Sequence, residues 1–123
     1  MKLNASYEVR DGYLYVKAMG EFVPSTAQET LYELVEKASS HALNRILCEI
    51  TLVTGLDAQQ TATITRFDTS LLVVKSFPKN FRLAVLETVQ QLDIFDENVM
   101  VNRGTIVKVT SDLNEALEWL GVT

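Results

Sequence analysis

Arg45-Ile46-Leu47-Cys48-Glu49-Ile50, followed by Thr51-Leu52-Val53-Thr54-Gly55-Leu56 and then Asp57, is the stretch that decides the fold. It reads as a central strand, a loop from Thr51 to Leu56, and the N-terminus of a long helix. Open α/β sheets place their ligand sites at such strand ends. Ile46, Cys48 and Ile50 alternate onto one face of the strand. Past Asp57, the residues Ile64, Phe67, Leu71 and Val74 recur at helical spacing, which predicts a second helix over roughly 58–75.

Upstream, Tyr7 to Arg10 and Tyr13 to Met19 flank Asp11-Gly12, a two-residue turn signal that predicts a hairpin. Gly20 and Pro24 are read as ending the second strand. Ser25 and Thr26 are overlapping capping candidates for a first helix, whose Ala27, Leu31, Leu34, Val35 and Ala38 repeat at helical spacing up to Ser39-Ser40. Downstream, Phe81 to Leu86 reads as a strand, Leu92 to Val101 as a short helix, and Thr105 to Val109 as a strand. Ser111 or Asp112 caps a last helix that Gly121 stops. The order ββαβαβαβα predicts an α/β fold: a small, mixed, mostly parallel five-stranded sheet with about four helices, in one domain over 1–123.

Composition narrows the partners. The chain has 123 residues, 47% of them hydrophobic, enough for one core. Its net charge of -5 argues against nucleic acid, because phosphate contacts need clustered Lys and Arg. Met1-Lys2-Leu3-Asn4 leads into strand-like sequence without an apolar core region, so no secretory signal is expected. The longest fully apolar runs, such as Leu71-Leu72-Val73-Val74, are too short for membrane insertion. The single cysteine, Cys48, allows no internal disulfide and fits a cytoplasmic setting.

The end of the chain carries a family resemblance. Phe95-Asp96-Glu97-Asn98-Val99-Met100-Val101-Asn102-Arg103-Gly104, then a strand, then Thr110-Ser111-Asp112-Leu113-Asn114-Glu115-Ala116-Leu117-Glu118-Trp119-Leu120, resembles the close of the SpoIIAA-like branch of the STAS domains. The likeness extends to the central strand and to Thr54-Gly55-Leu56. It implies a STAS-type protein-interaction or regulatory module, and a fold shared in outline with the CRAL-TRIO lipid-exchange domains. In the anti-sigma factor antagonists of that family, a phosphorylated serine opens the helix after the loop. This chain has Asp57-Ala58-Gln59-Gln60 there, so the phosphoserine is not carried over. Thr51, Thr54 and Thr61 keep a threonine switch open, although hydroxyls so placed mostly cap, pack or face water.

No enzyme chemistry stands out, and no cofactor is expected. Cys48 sits between apolar neighbours and is read as inert, with the one histidine, His41, in a connector away from it. Asp93, Asp96 and Glu97 lack the spacing of a calcium loop, so no metal is assigned. Glu49 is expected to emerge at a strand edge or to pair with Arg82 or Lys108. Arg103, beside Gly104, is a candidate anion contact, and Trp119 is expected to anchor the last helix to the sheet.

One face of the sheet would carry Leu14, Val16, Ile46, Cys48, Leu83 and Val85 beneath the helices. The other, with Tyr13, Tyr15, Leu47, Ala84 and Ile106, is too apolar to leave bare. Either a further helix covers it or a second copy does, which would make a homodimer. The preferred expectation is a non-enzymatic cytoplasmic module that meets an unknown protein partner through Thr54, Gly55, Leu56, Asp57, Gln59, Gln60 and Thr61. The alternative is a small-molecule or lipid-binding carrier of the CRAL-TRIO-like kind.

Overall fold

In the computed structural model, residues 4–21, 24–54, 73–75, 77–87 and 106–122 are described. The hairpin forms as its turn residues dictate. β1 (Asn4–Arg10) pairs antiparallel with β2 (Tyr13–Glu21) from Asn4 opposite Met19 to Arg10 opposite Tyr13. Between them Gly12 takes a left-handed φ of 87°, a conformation glycine adopts without steric cost. β2 runs through Gly20 to Glu21 rather than ending at Met19, because it keeps pairing with the next strand.

α1 (Pro24–Ser40) follows, with Pro24 itself in the first helical position, where its missing N–H leaves no bond unmade. At its end His41 N–H donates to Ala38 O, Ala42 N–H to Ser39 O, and Leu43 N–H to Ala38 O at 2.8 Å. The last two bonds make a Schellman closure, and it puts a non-glycine residue, Ala42, at φ 56°.

β3 (Arg45–Thr54), β4 (Arg82–Leu86) and β5 (Ile106–Thr110) then pair in parallel, giving one sheet in the order β1-β2-β3-β4-β5. The expected mixed, mostly parallel five-stranded sheet is therefore observed. Residues 73–75 are helical, at the end of the expected second helix; the rest of that helix and the short helix over 92–101 lie outside the described residues.

The chain closes with α2 (Leu113–Leu120). Of the two cap candidates Asp112 is the one used, its carboxylate accepting from the N–H groups of Asn114 and Glu115 at 2.9 and 3.3 Å. The Thr110 hydroxyl accepts from Asp112 N–H at 3.1 Å and donates to the Glu115 carboxylate, which links cap and first turn through β5. Gly121 ends α2 in a second Schellman closure at φ 77°, its N–H donating to Glu118 O and that of Val122 to Leu117 O.

Two cores form, one on each face. Leu14, Val16, Ile46, Cys48, Leu83 and Val85 meet Leu34 and Ala38 of α1 together with Val73, Phe77 and Phe81. In the expected second-helix stripe Val74 is only half-buried, while its neighbour Val73 is fully buried. On the opposite face Tyr13, Leu47, Ala84 and Leu86 are covered by Ala116 and Leu120 of α2, with Trp119 packed beside them. The face judged too apolar to leave bare is thus covered by a helix of the same chain. Ile106, at 40% exposure, is left outside that cover.

Candidate functional site

The stretch after Ile50 differs from the expected loop. Thr51, Leu52, Val53 and Thr54 are strand, not loop: β3 continues to Thr54 alongside β2. The alternation is masked by a bulge. From Lys17 to Met19 β2 advances two residues while β3 advances three, from Glu49 to Leu52, so Ile50 and Thr51 together oppose Ala18. Ile50 and Val53 both join the α1-side core, while Leu52 is 51% exposed opposite Met19, itself 38% exposed. Thr54 caps the pairing by donating its hydroxyl to Gly20 O at 3.2 Å. The other proposed contact residues, Gly55, Leu56, Asp57, Gln59, Gln60 and Thr61, lie outside the described residues, as does Arg103.

Strand order removes one argument for this location. A switch-point crevice needs an order that reverses, and this sheet reads straight through from β1 to β5.

On the α2 side of the sheet, ahead of the bulge, lies a polar network that the sequence did not disclose. Tyr15 donates its hydroxyl to Glu49 Oε1 at 2.5 Å, and Thr51 donates to Oε2 at 2.7 Å. Arg10 pairs with Glu8, reaches Tyr13, and lies 4.1 Å over the Tyr15 ring. Glu49 therefore does not pair with Arg82 or Lys108. Arg82 is turned toward Trp119 O at 3.5 Å, and the cross-strand cation near Glu49 is Lys17 of β2.

Burial works against the Glu49 charge, but the hydrogen bonds from Tyr15 and Thr51, aided by Lys17 and Arg10, outweigh it and hold the carboxyl below its usual range. Burial, then the hydrogen bond to Glu49 and its charge, pushes the Tyr15 phenol up to about 12. At neutral pH both protonation states are pinned, so the pair is poorly suited to shuttle a proton.

The remaining candidates separate. Cys48 is buried in the α1-side core, and desolvation, followed by Glu49, pushes its thiol up to about 12. His41 is exposed, its Nδ1 3.0 Å from Lys37 O at the end of α1, so the two do not form a nucleophile and base. Asp93, Asp96 and Glu97 lie outside the described residues, and among the described residues no His, Cys, Asp and Glu side chains gather as a metal site would require. No helix is long and apolar enough to cross a membrane, among the described residues.

A concavity lies on the opposite, α1-facing side of the sheet. Tyr7 on β1 and Glu33, Glu36, Lys37 and Ser40 on α1 line an open groove of about 340 Å3. Tyr7 donates to Glu33 Oε2 at 3.2 Å, and Lys37 Nζ stands 5.5 Å from the Tyr7 ring centre. Burial, then Glu33, pushes the Tyr7 phenol up to about 12. Residues 33, 36, 37 and 40 share one side of α1, a pattern visible in the sequence; that Tyr7 faces them required the fold.

An antiparallel hairpin continued by three parallel strands, with helices on both faces, is the architecture of SpoIIAA-like domains. Two solved structures share it. One is an anti-sigma factor antagonist from Mycobacterium paratuberculosis, 13% identical, matched over 98% of this chain and 95% of that one with a TM-score of 0.62. The other is an uncharacterized protein of the DUF3478 family with a SpoIIAA-like fold from Shewanella loihica, 23% identical over 97% of this chain and 93% of that one, with a TM-score of 0.57. No protein-family model matches the chain, and no curated protein does either. At these identities the likeness is one of fold: the chain has the SpoIIAA-like fold of the STAS domains that its C-terminal residues resemble.

Proposed function

We propose that this chain is a regulatory protein-interaction module of the STAS type, a single domain over 1–123 acting in the cytoplasm without turnover of a substrate. The observation that carries the reading is the near full-length likeness to an anti-sigma factor antagonist, a protein whose action is directed at another protein. The partner surface is Thr54, Gly55, Leu56, Asp57, Gln59, Gln60 and Thr61, of which Thr54 terminates β3. Where the resemblance to the anti-sigma factor antagonists calls for a phosphorylated serine, this chain has Asp57-Ala58-Gln59-Gln60, so the surface keeps the Asp57 carboxylate and needs no kinase. A carboxylate at a helix start also favours the helix dipole.

The test is capture of partners from the native cell on the immobilised chain, read by mass spectrometry, in parallel with Asp57→Arg. A partner retained by the wild type and lost by the variant supports the reading. Equal capture by both proteins, or a well-defined turnover activity, overturns it.

A further inference from the structure

Two features of β1 remain unused by that reading. The first is its free edge: among the described residues β1 pairs only with β2, so half its backbone N–H and C=O groups point away from the sheet. Natural edges are usually blunted by a short strand, a lysine, a proline or a bulge. β1 has seven residues with no Lys or Pro, and its register on β2 is unbroken. Its two charges do not guard the edge on the α1 side either. Glu8 and Arg10 pair with each other on the opposite face, where Arg10 lies over Tyr15. The other edge strand, β5, is five residues long with Lys108 at its centre.

The second feature is the groove of about 340 Å3 that runs beside this edge. Ala5, Tyr7 and Val9 alternate onto the α1 side of β1, and Val9 is 50% exposed. Above them α1 presents Glu33 and Glu36, giving the groove two carboxylates and one aromatic ring. Lys37 shows what that ring attracts: its ammonium stands over Tyr7 although the side chain is exposed and free to swing out.

We propose that β1 and this groove form a docking site for an extended segment of a partner polypeptide, which adds to the sheet as a strand beside β1 and places a basic side chain between Tyr7, Glu33 and Glu36. Main-chain hydrogen bonds to the free edge supply the attachment, and the groove supplies the selection, as in strand-addition recognition generally. The incoming guanidinium or ammonium displaces Lys37 from the Tyr7 ring. The proposal shares with the function above only the class of partner. It uses none of the residues 54–61, so Asp57→Arg and the variants below test different residues.

The test uses the full-length, nitrogen-15-labelled chain and two blocked heptapeptides, acetyl-Thr-Val-Thr-Arg-Thr-Val-Thr-amide and its counterpart with Glu in place of Arg. The Arg peptide is expected to shift the amide resonances of Asn4 to Arg10 and of Glu33 to Lys37, saturating near about 1 mM. The Glu peptide binds at least about tenfold more weakly, and alternate N-methylation of the Arg peptide abolishes the shifts. Glu33→Lys with Glu36→Lys weakens the Arg peptide by about tenfold or more, whereas Glu118→Lys on α2 leaves it unchanged. Equal binding of the two peptides, survival of binding after N-methylation, or shifts confined to other strands overturns the proposal. So does a dimeric mass with β1 amides already protected in the free protein, which would mean that a second copy holds the edge. Should the double variant fail to fold, the peptide comparison on the wild type decides alone.

Discussion

Glu49 is the residue whose environment makes the sharpest prediction. Its carboxylate is held by Tyr15 and Thr51 and sits below its unfolded pKa in the native state. A depressed acid contributes stability that is complete above the ordinary carboxylate range and is lost as pH falls through the folded value. Glu49→Gln should therefore cost at most about 1 kcal/mol at about pH 7, because solvent screens the site, and less at about pH 3. Urea midpoints of both proteins at the two pH values check it; a constant difference would show that packing, not charge, is at stake. Cys48 gives a second readout. With its thiol buried and pushed up to about 12, a disulfide reagent at about pH 8 should label it only as fast as the native state opens. Immediate labelling of the folded protein would contradict its place in the core.

At the scale of elements, the two helix ends form a matched pair. α1 and α2 close with the same hydrogen-bond pattern, but α2 places Gly121 at the left-handed position and α1 places Ala42 there. Ala42→Gly should raise stability by about 0.5–1 kcal/mol, and Gly121→Ala should lower it by a similar amount. A Cβ on Gly121 meets nothing nearer than Arg45 at 4.0 Å, so the loss isolates backbone strain. Thermal midpoints should move apart by several degrees.

The same elements show what the sequence disclosed. Asp112, Gly121 and the Asp11-Gly12 turn were legible because each acts on backbone groups within a few residues. The end of β3 was not. An extra residue at Ile50-Thr51 breaks the period-two pattern, and Thr51 to Thr54 followed by Gly55 looks like a loop until β2 is seen beside it. Glu49 was assigned the wrong partners for a related reason. Its hydrogen-bond donor, Tyr15, lies 34 residues away on a parallel strand, and only the sheet order brings them together. Of the proposed contact surface, Thr54 alone falls among the described residues, so the sequence remains the main witness to the rest.

For the whole molecule, the two cores are not independent, because β3 and β4 supply residues to both faces. Trp119 reports on the α2 side, whereas far-UV ellipticity reports mainly on α1 as the longest described helix. If residues 1–123 are one cooperative unit, fluorescence and ellipticity should give superimposable urea transitions. A fluorescence change that precedes loss of ellipticity would mean that α2 peels away on its own.

The straight strand order has a consequence for how the protein is made. Each strand lies next to the one translated just before it, so the sheet can grow in the direction of synthesis without waiting for a distant segment to be threaded between strands already in place. Once residue 54 has left the ribosome, β1, β2, α1 and β3 are all available, and every later strand joins at the open side of a finished neighbour.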